Sequence, residues 1–155
     1  MDEIHGRASL RVGATPQAVF DLITDVGRLP EWNTAIETVL KRPSGLTEGA
    51  EWTVKMHPPR TPSWTSISRV EELDRGELRF AYETRNGDGN PSYTKWAWAV
   101  TGASGGARVT VTWDVYLKTA DRKFFGGPLR KRQLAREVPN SLAALASALT
   151  APVTS

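Results

Sequence analysis

Apolar and polar residues alternate along the first dozen positions: Ile4, Ala8, Leu10 and Val12 fall on one side, His5, Arg7, Ser9 and Arg11 on the other. A period of two is the mark of a half-buried strand, expected here at or near a sheet edge. The next segment, ATPQAVFDLITD, changes period. Val19, Phe20 and Ile23 share a helical face, Thr15 is placed to cap, and Pro16 occupies a first helical position where its missing N–H costs nothing. Gly27 then turns the chain, and Pro30 is read as opening a second short helix, PEWNTA, that carries Trp32 inward or across a gap.

From about residue 36 the period returns to two, in IETVLKR, AEWTVKM, WTSISRVEEL, ELRFAYET, SYTKWAWAV and ARVTVTWDVYL. The separating stretches RPSGLTEG, HPPRTPS, DRG, NGDGNP and TGASGG hold most of the glycine and proline, which fits a meander of antiparallel hairpins without βαβ crossovers. Leu134, Val138, Leu142, Leu145 and Leu149 then recur at helical spacing, predicting one amphipathic helix from about residue 126 to 150. Pro139 is expected to kink it, with FFGGP as its hinge or cap. The predicted class is α+β: a curved antiparallel sheet of about seven strands, a long C-terminal helix, and two short helices after the first strand.

At 155 residues, with 39% hydrophobic and 24% charged, the chain reads as a single domain spanning 1–155 with a core of its own. The start, MDEIHGR, lacks the pattern of a signal peptide, and no apolar run approaches the roughly 20 residues of a membrane span, so a cytoplasmic location is expected. With no cysteine and only His5 and His57, neither a metal nor another cofactor is expected. Net charge is +3, and Arg122, Lys123, Arg130, Lys131, Arg132 and Arg136 crowd one segment. A solvated helix face is the favoured reading of that run, because no interleaved aromatics of a nucleic-acid motif accompany it.

Six tryptophans are many for this length, and five lie on predicted strands. By period two, Trp52 goes with Val54 and Met56, Phe80 with Leu78 and Tyr82, Trp96 with Trp98 and Val100, and Trp113 with Val109, Val111, Val115 and Leu117. Such rings either fill a core or wall a pocket for a flat apolar ligand. Of the acid–base candidates His57, Tyr82, Glu83, Tyr93, Asp114 and Tyr116, His57 falls in an exposed turn and Asp114 and Tyr116 oppose Trp113. Tyr82, beside Phe80, is the preferred cavity hydroxyl. No Ser-His-Asp order, phosphate-binding loop or metal spacing occurs, since NGDGNP lies between two strands; neither nucleotide binding nor hydrolysis is indicated.

ATPQAVFDLITDVGRLPEW, WTSISRVEEL, VTVTWDVYL and LRKRQLAREVPNSLAAL together resemble the START-like, Bet v 1-like superfamily that includes bacterial polyketide cyclases and dehydratases, over essentially the whole chain. The resemblance implies a helix-grip fold with a cavity between sheet and C-terminal helix. It puts Trp32 at the cavity mouth, and makes Trp52, Met56, Phe80, Trp96, Trp98, Trp113 and Val138 its expected lining. It also implies an arginine at the matching "R-V" position, Arg69, as a fixed cation for a carbonyl or enolate, with Tyr82 as proton donor. The residue pattern leaves Arg69 equally open to a surface position, because Ile67 and Arg69 share one strand face while Trp64 and Val70 share the other. Leu29 and Ile36 depart from the aromatic and hydroxyl groups of the aromatases. Three functions follow: a polyketide cyclase or dehydratase, a non-catalytic carrier of a hydrophobic ligand, or an interaction protein using the basic helix.

Overall fold

The structure is a computed structural model describing residues 3–119 and 127–150. The basic residues Arg122 and Lys123, and the FFG portion of the expected hinge, lie outside the described residues. Seven strands form one antiparallel sheet in the order β1-β7-β6-β5-β4-β3-β2. They are β1 (Glu3–Val12), β2 (Ile36–Lys41), β3 (Glu51–Met56), β4 (Trp64–Asp74), β5 (Arg79–Asn86), β6 (Tyr93–Ala103) and β7 (Gly106–Tyr116). Only β1 is out of sequence order; the rest is a meander, because each connection is a turn too short to cross over. A long helix, α2 (Gly127–Thr150), follows the sheet, in the helix-grip arrangement.

Between β1 and β2 lie α1 (Pro16–Thr24) and a 3-10 helix (Val26–Glu31). Thr15 Oγ1 accepts from the Ala18 N–H at 3.1 Å and Pro16 follows it, so the helix starts where capping and proline geometry allow. The second helix begins earlier than the sequence suggests: Pro30 sits inside its last turn, and Trp32 is the residue that ends it. α1 packs on β6 and β7, and α2 on β1 and the 3-10 helix, where the Thr34 N–H donates to Ser141 Oγ at 3.3 Å.

The core lies between the inner sheet face and the helices. Val19, Phe20 and Ile23 of α1, Leu134, Val138, Leu142 and Leu145 of α2, and Val109 and Val111 of β7 are all buried. One close approach requires glycine: a Cβ at Gly6 of β1 would collide with the Trp113 indole on neighbouring β7.

Candidate functional site

Strand register sorts the inner sheet face into rows. Leu73, Phe80, Trp98 and Val111 make one, Val70, Tyr82, Trp96, Trp113 and Gly6 the next, and Ser68, Thr84, Thr94 and Val115 the one after. Along the strands the face thus changes from apolar to aromatic to hydroxyl-bearing. Ser68 and Thr84 hydroxyls are bonded to each other at 2.8 Å across β4 and β5.

Trp52, Phe80, Tyr82, Trp98 and Trp32 form one contiguous group of rings. Trp32 meets Trp98 edge-on at 5.5 Å and 88°, and Tyr82 lies 5.0 Å from both Trp52 and Phe80. The Trp98 indole N–H donates to Tyr82 Oη at 3.2 Å. Burial pushes the Tyr82 phenol up to about 12, with the Trp98 bond working in the opposite direction. The group is therefore neutral at physiological pH, and because its oxygen already accepts, its own proton remains to be donated. Trp96 and Trp113 form a second pair at 6.0 Å.

Trp32 requires a correction. At 1% exposure it is packed inside the core rather than standing at an opening, and its Nε1 is a buried donor with no partner among the described residues. Arg69 requires another. It is exposed, on the outer face, opposite Glu51 of β3 and Glu83 of β5. The one register shift in β4 comes after Val70, where Glu71 is inserted, too late to turn Arg69 inward. The resemblance's cavity cation is not supplied by this residue.

Of the remaining candidates, Trp52, Phe80, Trp98, Trp113 and Val138 are buried, whereas Tyr82, Trp96 and Met56 keep accessible surface. Met56 sits at the end of β3, opposite Ile36 and Trp64 and away from the central rows. His57 is exposed with Nδ1 3.3 Å from Glu37. Asp114 bonds to His5 on the outer face, and Tyr93 stacks on Tyr116 there at 4.8 Å. Glu83 shares that face, opposite Lys95. Among the described residues no cluster of three His, Asp or Glu side chains is arranged to hold a metal ion.

Helix α2 contributes groups that the reading of its basic run as a solvated face passes over. Arg130 Nη1 donates to Gln133 Oε1 at 2.9 Å, and Glu137 lies one turn further. Burial lowers the Arg130 pKa, the Glu137 charge opposing it; burial likewise raises the Glu137 carboxyl, opposed by Arg130 and by a hydrogen bond with Gln133. The available signal was helical phase: Arg130, Leu134, Ser141 and Leu145 fall on one stripe, and the last three are buried. Lys131, Arg132 and Arg136 are exposed.

A search of curated protein sequences gives no match. Among solved structures, protein CV1439 from Chromobacterium violaceum is similar with TM-score 0.76 at 19% identity, covering 97% of this chain and 99% of that one. TTHA0849 from Thermus thermophilus is similar with TM-score 0.73 at 20% identity, covering 97% and 100%. Ara h 8.0201 gives 0.74 at 13%, covering 97% and 99%. At these identities the likeness is one of fold. Residues 3–150 match the family model for polyketide cyclase / dehydrase and lipid transport proteins, and the chain belongs to that family.

Proposed function

We propose that the protein binds an apolar small molecule between the inner sheet face and α2, and that its primary role is to carry that molecule. The observation that supports this most is the state of Tyr82 and Trp96, neighbours in one register row. Both keep accessible surface although they point to the concave side, and Tyr82 is deep enough for burial to dominate its ionisation. In this reading their residual surface faces a hollow, and a hollow floored by aromatic rings suits a flat or chain-like apolar ligand. The rings of Trp32, Trp52, Phe80, Trp98 and Trp113, together with Val138, act in this reading as the hollow's wall and its support.

Carriage is favoured over cyclisation because Arg69, the electrophile that the resemblance implies, points to solvent. A second reading keeps some support from Tyr82: a neutral phenol with a free proton is a competent general acid for dehydration or cyclisation of a polyketide-type substrate. Native mass spectrometry of the protein purified from its own host tests the main reading. A co-purified apolar molecule at one per chain is the expected result. Failure to retain any such molecule, together with no saturable binding of the neutral dye N-phenyl-1-naphthylamine, refutes it.

A further inference from the structure

Arg130 poses a solvation problem that the apolar reading leaves unsolved. A guanidinium carries five N–H donors and stays charged inside a protein, yet among the described residues Arg130 has one hydrogen-bond acceptor, Gln133 Oε1 at 2.9 Å. Glu137 acts on it through charge rather than through a described hydrogen bond. Arg130 is half-buried on the stripe that carries buried Leu134, and Gln133 and Glu137 are half-buried beside it. The remaining donor positions of a half-buried cation are open to water or to the oxygen acceptors of a ligand.

Topology brings this group to the polar end of the inner face. β7 delivers the chain at the hydroxyl row, where Val115 stands opposite Thr94. The segment after β7 is tied down at the same end: the Lys118 N–H donates to Ser92 Oγ at 2.9 Å, and Asn90 Nδ2 donates to Thr119 Oγ1 at 3.4 Å. α2 begins at Gly127, and its Ser141 accepts from Thr34, two residues beyond Trp32, whose ring touches Trp98. Arg130 is eleven residues before Ser141 and so roughly 16 Å from it along the axis, on the side from which the chain arrives after β7, and we infer that it lies toward the hydroxyl row.

Resting on the ligand-binding reading above, we propose that Arg130, held by Gln133 and with Glu137 one turn on, is the anion-recognition group of the hollow, which therefore selects an apolar molecule ending in a carboxylate. A carboxylate matches the guanidinium fork with two oxygens, which an alcohol or ester does not. The apolar body then lies along the Tyr82–Trp96 row, and Glu137 is the group that balances Arg130 when no ligand is bound.

The experiment is displacement of N-phenyl-1-naphthylamine, an uncharged probe, by dodecanoate and by dodecanol at neutral pH. The wild type is expected to prefer the acid by about tenfold or more, the scale of a charge-assisted pair. Arg130→Met should bring that preference close to one while keeping the affinity for the alcohol, and Glu137→Gln should preserve or strengthen the preference. Equal displacement by acid and alcohol in the wild type overturns the proposal, as does an acid preference that survives Arg130→Met. If Arg130→Met does not unfold cooperatively, Arg130→Gln is read in its place against the same criterion. Failure of the probe itself to bind the wild type refutes the ligand-binding reading and this proposal with it. Binding without acid preference refutes this proposal alone.

Discussion

Replacing Tyr82 with phenylalanine removes one oxygen and leaves the ring, so its contacts at 5.0 Å with Trp52 and Phe80 persist. What changes is the Trp98 indole N–H, which loses its acceptor at 3.2 Å in a residue that is 5% exposed. A buried donor left unpaired costs about 1–3 kcal/mol, well above the net value of the bond itself. Trp32 Nε1, on the ring packed against Trp98, already lacks a partner among the described residues, so the variant would bury two such donors in adjoining indoles. A central cost of about 2 kcal/mol corresponds to roughly 4–8 °C in Tm for a chain of this size. Urea unfolding followed by far-ultraviolet circular dichroism measures it without relying on tryptophan emission. The decisive control is Trp98→Phe, which deletes the donor: on that background Tyr82→Phe should cost less than about 0.5 kcal/mol, giving a coupling of about 1–2 kcal/mol. Equal costs in both backgrounds, or a negligible cost in the wild type, would show that the Trp98–Tyr82 bond does not organise the ring cluster.

Alkaline titration tests the same residue by another route. Because the folded phenol is held near 12 against an ordinary 10.0, the folded protein keeps a proton that the unfolded chain releases. Its stabilising contribution is present below pH 10 and lost between about pH 10 and 12, with a slope approaching ~1.4 kcal/mol per pH unit that Tyr82→Phe should abolish in urea unfolding at stepped pH. Gly6→Ala forces a methyl into the Trp113 indole and should destabilise by about 1–3 kcal/mol, a cost largely relieved in a Trp113→Leu background; an unaltered melting temperature would refute the packing argument. Arg69→Met should shift stability by less than about 0.5 kcal/mol and leave dye binding unchanged, as befits an exposed side chain. A loss of dye affinity in that variant would return Arg69 to the interior.

What the chain discloses about itself depends on how local the cause is. Strand periods, turn residues and the Thr15–Pro16 start are set within a few positions, and the element order, the meander and the long helix are all legible from them. The inner and outer faces of β4 are not. Ser66 and Ser68 point inward and are buried, while Ile67 shares the outer face with Arg69, so hydrophobicity gives the wrong sign on that strand. Ser68 is accepted inside because the Thr84 hydroxyl on the next strand meets it, a matter of pairing register that no single segment encodes. Arg130 is hidden for a related reason: charge on a helix reads as exposure, whereas its helical phase aligns it with Leu134 and Leu145. Trp32 was legible as inward-facing but not as fully enclosed, since its enclosure depends on Trp98, 66 positions later in the sequence.

The hydroxyl row bears on whether the concave face exists to stabilise the fold or to meet a ligand. A sheet face built only for packing would carry valine or isoleucine at Ser66, Ser68, Thr84 and Thr94, because a buried hydroxyl costs about 1–3 kcal/mol unless it is bonded. Ser68 and Thr84 solve this by bonding to each other. The row beside them does not resemble an ordinary core either: its aromatic pair, Tyr82 and Trp96, keeps accessible surface, and space for the third ring, Trp113, is made by a glycine on an edge strand. A glycine on β1 admits a large ring on β7, while hydroxyls stand on β4, β5 and β6 where methyl groups would pack. Both choices sacrifice stability on the face that α2 covers. Such a sacrifice is intelligible where the rings and the hydroxyls of one concave face are both to meet a ligand, as the proposed binding role requires.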